Sequence, residues 1–391
     1  MIRSKKYDVV IAGYTCVDII PDFKKNDPIK TVVDFFKPGK LIEIEGLNFV
    51  LGGVVANTGL ALKKFGKKVF LNGLVGDDYM GNIVKSNFEK YDVAEGIITT
   101  DKAGTAFGIV IAPPGIDRIF LESPGCNQIF DTGFIKFDVI AQSRLFHFGY
   151  PPLLKQFYWN AGSQMSEMFN KVQQMGVITS LDFSLPDPES ESGKIDWLEV
   201  MDNVLPFTDI FVPSVEEALQ ILMPSKFAEI QSACGANQIA TQIPTQLIRE
   251  VGKMAIDKGA KIVLIKVGER GAFIITGDVS SINRNSDNKL AEDNWNFREL
   301  WCEAYHAEGS KIINANGAGD TAVAAFLTAI LDGVSVELAI KYAAMAGRNN
   351  LYCNDIYTEL INWQEMSAAI QSEQNELIQF TAGNYNPPII I

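Results

Sequence analysis

The chain has 391 residues, 34 of them Lys or Arg and 47 Asp or Glu, for a formal net charge of −13. Apolar residues make up 47% and charged residues 21%, which is the usage of a globular protein with enough chain for a large core and excludes a disordered or fibrous one. So acidic a chain has no basic footprint for nucleic acid or an anionic membrane surface, and any phosphate it binds needs local amides or a cation.

The N-terminal Met1-Ile2-Arg3-Ser4-Lys5-Lys6 is basic, but Asp8 and Asp18 interrupt the apolar stretch behind it and no small-residue cleavage site follows. It reads as a strand, not a signal peptide. No run of 18 apolar residues occurs, so no membrane span is expected. Cys16, Cys126, Cys234, Cys302 and Cys353 are scattered without a CxxC pair, which indicates neither a disulfide framework nor a zinc site and suits a cytoplasmic protein.

Tyr7 to Gly13 carries the apolar run Val9-Val10-Ile11, the pattern of a strand buried on both faces. Thr31 to Phe36 and Leu41 to Glu45 are β-rich, the second alternating apolar with charged residues. Gly52 to Lys67 reads as a glycine-led helix. Val69 to Leu74, Ile97 to Thr100, Leu145 to Phe148, Val177 to Asp182, Ile210 to Pro213 and Ile262 to Val267 are further strands, with helices such as Ser163 to Gln174 and Pro244 to Lys258 between them. Strands alternating with helices predict one α/β domain over the whole chain, with a central, mostly parallel sheet and helices on both faces.

Thr105 to Ile111 and Arg118 to Leu121 break the alternation, since Pro113-Pro114-Gly115 joins them as a hairpin. With Thr31 to Glu45 they predict a small β-sheet packed over the edge of the main domain. Pro186 to Lys194, Ser225 to Gln242 and Asp278 to Ser310 read as polar surface insertions, and Asn384 to Ile391 as a tail.

Asn314-Ala315-Asn316-Gly317-Ala318-Gly319-Asp320-Thr321 is the most informative segment. Ile312 and Ile313 predict a strand before it. Behind it, Ala322, Ala325, Phe326, Ala329 and Ile330 give one apolar helical face, while Val323, Ala324 and Leu327 make the other side apolar too, so the helix is buried all round. A small-residue turn into a buried helix aims several N–H groups at one spot, a site for an anion. Asp320 in that turn has two readings: a helix cap worth about 1 kcal/mol, or the base that activates an attacking hydroxyl in phosphoryl transfer. Gly317-x-Gly319-x-x-Ala322 also meets the loose dinucleotide fingerprint of an oxidoreductase. That motif requires a following strand, however, and Ser335 to Asn350 reads as another helix. No Walker phosphate loop is present.

At these residues the chain resembles the ribokinase-type (PfkB) carbohydrate kinases. Near the N-terminus the resemblance lies in Gly52-Gly53-Val54-Val55-Ala56-Asn57-Thr58-Gly59-Leu60-Ala61, then Phe65-Gly66, Gly73 to Asp78, and Gly81. Near the C-terminus Gly317-Ala318-Gly319-Asp320 is similar to the core of that family's DTxGAGD motif. Gly13 with Asp18, Arg118 with Gly125 and Asn127, Asp182, Glu217 and Gly268-Glu269-Arg270-Gly271 follow in matching order, from about residue 8 to 350.

The resemblance implies a ribokinase-like fold and ATP-dependent phosphorylation of a sugar or sugar acid. It makes Asp320 the base and the amides of Gly317, Ala318 and Gly319 the anion hole. Asp18, Gly52, Gly53, Asn57 and Arg118 would bind the substrate, Lys266, Gly268 and Gly271 would lie at the nucleotide, and Glu217 would organise Mg²⁺. It also implies that the small sheet is a lid, formed by segments 14–50 and 104–122, that closes over the substrate and joins two copies in a homodimer. Asn314 and Ala315 stand where DTxGAGD has Asp and Thr. That Asp belongs to a monovalent-cation site in relatives, and a neutral amide attracts a cation less, so activation by K⁺ is not carried over. Ser214 replaces the Asn of the NxxE motif that ends in Glu217, and Lys266 replaces a common Thr, either reaching an ATP phosphate or snorkelling from a strand end. Thr15, Asn48, Arg118 and Tyr150 are candidates for selecting among sugars, sugar acids, sugar phosphates and nucleosides. A nucleoside kinase and a non-catalytic sugar-binding regulator on the same fold are the alternative readings.

Overall fold

The computed structural model describes residues 5–23, 36–113, 119–234, 239–284, 290–313, 315–373 and 375–380. In chain order the strands are β1 (Tyr7–Gly13), β2 (Cys16–Phe23), β3 (Ile44–Gly52), β4 (Val69–Gly76), β5 (Ile97–Thr100), β6 (Phe107–Ile111) and β7 (Ile119–Ser123). They continue with β8 (Ser143–Gly149), β9 (Ile178–Asp182), β10 (Ile210–Phe211), β11 (Ile262–Lys266), β12 (Ala272–Thr276), β13 (Glu299–Cys302) and β14 (Leu377–Gln379). The longer helices are α1 (Val54–Lys64), α2 (Tyr79–Lys90), α3 (Lys155–Gln174), α4 (Trp197–Val204), α5 (Val215–Leu222), α6 (Pro224–Cys234), α7 (Thr245–Asp257), α8 (Ala318–Leu331), α9 (Val336–Asn350) and α10 (Trp363–Ser372).

Ten strands form the main sheet in the order β14-β13-β12-β11-β10-β9-β8-β1-β4-β5. From β11 to β5 every neighbouring pair is parallel, whereas β11–β12, β12–β13 and β13–β14 are antiparallel. Apolar runs such as Val9-Val10-Ile11-Ala12 alternate between two cores. Val9 and Ile11 pack with α1, α8 and α9 on one face, while Val10 and Ala12 pack with α3, α4 and α7 on the other. Burial on both faces is why these strands lack the polar alternation of a one-sided sheet.

A second sheet of four strands has the order β3-β2-β6-β7. This is the small sheet expected from the lid segments, and only Tyr14 and Thr15 separate β1 from β2. Its strands differ from the expected ones. Cys16–Phe23, read only for Asp18, is a full strand, with Val17 and Ile19 buried on one side of it. The strand read at Leu41 to Glu45 instead starts at Ile44, opposite Phe23, and Leu41 before it is 86% exposed. Of Thr31 to Phe36, residues 31–35 lie outside the described residues, as do Asn384 to Ile391.

Two further expectations are corrected. Asp278 to Ser310 is no mere surface insertion: β13 lies within it, and Trp295 and Trp301 are buried, plugging the two faces of the sheet edge. Ile312 and Ile313 form no strand. Both are nearly half exposed, and Ile313 donates its amide to the Leu351 carbonyl at 2.8 Å, so loop packing and not the sheet leads the chain into α8.

Candidate active site

Helix α8 is buried from Asp320 to Leu331 and starts at Gly317, which has φ 72° and ψ 4°. That left-handed turn suits glycine. Among the described hydrogen bonds the amides of Gly317, Gly319 and Asp320 have no partner, while the Ala318 amide reaches the Ala315 carbonyl at 3.3 Å. Unpartnered N–H groups at a helix start are where an anion binds. Asn350, at the end of α9 and 1% exposed, pins the turn. Its amide donates to the Asn316 carbonyl at 2.7 Å, and its oxygen accepts from the Thr321 hydroxyl at 2.8 Å. Asn314 lies outside the described residues.

Asp320 is 4% exposed, and its carboxylate does not cap its own helix. It faces α1 and the end of β8 instead. Asn57 donates to Oδ2 at 3.1 Å, Thr58 to Oδ1 at 3.2 Å, and the Tyr150 hydroxyl to both oxygens at 2.8 Å. Burial pushes the Asp320 carboxyl above the ordinary aspartate range, and the donated bonds and the Lys266 charge only partly offset it. The cap reading therefore fails on geometry, and the group is a partly basic, nearly buried carboxylate.

Lys266, the last residue of β11, donates its ammonium to Asp182 at the end of β9 at 2.8 Å. Its stem runs alongside Gly319, where an added Cβ would be 3.7 Å from Nζ. Burial opposes the ammonium charge, but Asp182, Glu217 and Asp320 outweigh that and raise its pKa. Burial also pushes Asp182 up to about 6 and Glu217 up to about 7, Lys266 opposing in each case. Glu217 sits at the start of α5 in a reciprocal capping arrangement with Ser214: the Ser214 amide donates to its carboxylate at 2.6 Å. The Ser that replaces the motif's Asn is thus a helix cap.

Tyr150, Asp182, Phe183, Ser214, Glu216, Glu217, Lys266, Gly268, Gly317, Gly319 and Asp320 line one cavity of about 310 Å³. The structure therefore joins most of the nucleotide-side residues read from the sequence. Gly271 is apart from it, with φ 100° and packed against the Cys302 carbonyl, and shapes the turn from β11 to β12. Gly53 starts α1 with φ 85°, and a Cβ there would lie 2.4 Å from the Tyr14 carbonyl.

Asp18 lies on the small sheet. Asp18 pairs with Gly108 and Gly108 with Glu122, so the three form one cross-strand row. The Asp18 carboxylate fills the space beside two glycines: an added Cβ would be 2.8 Å from it at Gly52 and 2.9 Å at Gly108. Burial, helped by Glu122 and opposed by the Cys16 thiol, pushes Asp18 up to about 6. Tyr14 donates to Glu122 and stacks on Tyr150, with ring centroids 6.5 Å apart. Thr15 is buried against Gly73, Asn48 is exposed on β3, and Arg118 lies outside the described residues.

Sequence reasoning missed Thr58, Glu122 and Asn350, and it named Tyr150 only as a pocket residue. Thr58 carried a signal, since it follows Asn57 directly on one helix turn. Glu122 and Asn350 are placed by strand register and by the meeting of distant chain ends, which one sequence does not display.

Comparison with known proteins gives a match to the model of the pfkB family carbohydrate kinases over residues 9–353. The chain is 22% identical over 350 residues to the 5-dehydro-2-deoxygluconokinase of Bacillus subtilis, covering 88% of this chain and 89% of the relative. It is 24% identical over 328 residues to the ribokinase of Haemophilus influenzae, covering 82% and 87%. Among solved structures, the ribokinase of Arabidopsis thaliana complexed with ribose and ATP aligns over 94% of this chain and 99% of its own, with TM-score 0.64 and 16% identity.

Proposed function

The chain belongs to the pfkB family of carbohydrate kinases, and from that premise we propose that it transfers the γ-phosphoryl group of ATP to a hydroxyl of a sugar, with Asp320 as the base. One observation carries this reading: a nearly buried carboxylate at the first turn of α8, beside unpartnered amides and on the cavity that Lys266 enters. Asp320 takes the proton of the attacking hydroxyl. The amides of Gly317 and Gly319 hold the charge that develops on the transferred group, and the Lys266 ammonium meets the phosphates as they arrive. Gly268, with φ 55° and nothing within 4 Å of where a Cβ would stand, leaves room for the nucleotide.

The cavity residues fit Mg²⁺. Four carboxylates (Asp182, Glu216, Glu217, Asp320) face one ammonium, and burial first, then an acidic neighbour, raises the pKa values of Asp182 and Glu217 against the pull of Lys266. Among the described residues no group of three or more acidic, His or Cys side chains could cage a metal. The ion would be held by one or two carboxylates, Glu217 foremost, and completed by phosphates and water. When bound, it neutralises phosphate charge during transfer.

On the sugar side, Asp18 and Asn57 supply acceptors and a donor for hydroxyl groups. The relatives' names leave the acceptor between a neutral sugar and a sugar acid. The Asp18–Gly108–Glu122 row favours a neutral one, because two carboxylates on one face repel a third. A cytoplasmic setting, where ATP is supplied, goes with this reading. So does a homodimer through the small sheet, whose Leu47, Val50 and Leu121 are exposed. Sedimentation of the protein as a monomer would refute the dimer.

The test is ADP release from Mg-ATP across a panel of neutral sugars, sugar acids, sugar phosphates and nucleosides. Release stimulated by a neutral sugar, with a sugar phosphate formed, is expected. Silence across the panel while one sugar still binds tightly would overturn the reading.

A further inference from the structure

Three donors surround the Asp320 carboxylate: Thr58 at Oδ1, Asn57 at Oδ2, and the single Tyr150 hydroxyl 2.8 Å from both oxygens. The Tyr150 hydroxyl has one proton to share between the two oxygens, so it is the donor most readily displaced by an alcohol that gives its proton to Asp320. Asn57 and Thr58 sit within α1, and Thr58 is fully buried. Tyr150 differs from both. One hydroxyl is divided between two oxygens, its side chain lines the cavity, and its backbone is left-handed, with φ 64° and ψ 44°. A non-glycine residue holds that conformation only where its surroundings impose it, and such positions cluster at functional sites. Burial and the neighbouring Asp320 keep the phenol's pKa well above its ordinary value, so it stays a donor.

We propose that Tyr150 guards the base: its hydroxyl closes Asp320 to water and yields to the acceptor alcohol, so that ATP is not hydrolysed without sugar. This rests on Asp320 being the base of the kinase reaction. In the side reaction so prevented, a water oxygen bonds to the γ-phosphorus and the bond from that phosphorus to the bridging oxygen breaks. The water proton passes to Asp320, and ADP and inorganic phosphate leave. Water and a sugar hydroxyl are alike as nucleophiles, but the sugar has further hydroxyls bound elsewhere in the site to offset the displacement of Tyr150. A lone water has none.

The test measures ADP release from Mg-ATP in the absence of sugar, for the wild type, Tyr150→Phe, Tyr150→Asn and Tyr150→Phe combined with Asp320→Asn. Phe keeps the ring and its stack on Tyr14, while Asn suits the left-handed backbone, so the two variants fail to fold for different reasons if at all. Both single variants are expected to release ADP roughly tenfold faster than the wild type, the scale of one lost hydrogen bond to a charged group. The double variant should return to the wild-type rate or below, and the KM for the accepted sugar should fall in Tyr150→Phe. A residue that only supported the fold would slow both reactions. Unchanged or slower sugar-free release in the single variants overturns the proposal, as does a gain that survives the loss of Asp320. Failure of the kinase reading shows elsewhere, as a wild type that makes no sugar phosphate from any acceptor.

Discussion

Asp320→Asn separates chemistry from architecture at this site. Asn has the shape of Asp, and its oxygen, placed as Oδ1, still accepts from Thr58 and Tyr150. Its amide then meets the Asn57 amide donor at the Oδ2 position, a conflict that a flip of Asn57 removes. The variant therefore keeps its place in α8 and loses only basicity. Loss of a positioned base lowers kcat by roughly 10²–10⁴, equal to about 2.7–5.4 kcal/mol of transition-state stabilisation. The stability effect has the opposite sign. Burial raises the Asp320 pKa above its unfolded value, so the stability this group contributes is full at low pH and lost as pH rises through the folded value. At pH 8 the neutral Asn is free of that penalty, so Tm should hold or rise. Steady-state kinetics on the best sugar of the panel, with a melting curve, checks both. Turnover near the wild-type rate would refute the argument, and a collapsed Tm with a proportionate loss of activity would return Asp320 to a structural role.

Three further outcomes follow from the same geometry. Asp18, raised from 3.8 to about 6, loses stabilisation as pH climbs from about 4 to 6, so wild type should fall behind Asp18→Asn by about 2 kcal/mol across that window, allowing for its partial exposure. Urea midpoints from pH 4 to 8 measure the gap, and a gap that does not widen with pH rejects the cause assigned. Removing one charge in Glu122→Gln should raise kcat/KM for sugar acids relative to neutral sugars by roughly tenfold, and an unchanged ratio rejects the row as a charge filter. In Gly319→Ala the new Cβ stands 3.7 Å from the Lys266 ammonium. Helix propensity should hold or raise stability by about 1 kcal/mol while a methyl crowds the anion site, and kcat should drop at least roughly tenfold. Undiminished kcat would mean that no phosphoryl group passes there.

What the sequence displayed and what it hid divide along one line. Runs such as Val9-Val10-Ile11 and Ile262-Val263-Leu264 state their burial directly, so the parallel half of the main sheet was legible. The Gly317-Ala318-Gly319-Asp320 turn was legible too, because local backbone chemistry determines what such a turn can do. Strand β13 was not. Its buried Trp301 sits in a stretch of charged and amide residues, and only the register against β12, Phe273 opposite Trp301, makes it a strand. The Ile312-Ile313 pair misled in the other direction: β-branched residues satisfied a strand pattern, but among the described residues no strand pairs with them and they sit half exposed. At the site, the charge and hydroxyl of Asp320 and Tyr150 were visible 170 positions apart, whereas their contact is a product of where β8 ends and α8 begins.

The passage of β1 into β2 has a mechanical consequence. Tyr14 and Thr15 are the whole joint there, and Gly53 is the whole joint between β3 and α1. The two joints touch, the Val55 amide reaching the Tyr14 carbonyl at 3.4 Å. A tilt of the four-stranded sheet against the ten-stranded one pivots at that spot. Tyr14 is the axle: its hydroxyl carries Glu122 and its ring bears on Tyr150. Tyr14 thereby ties the acidic row of the small sheet to the phenol on Asp320 at the point where the two sheets join.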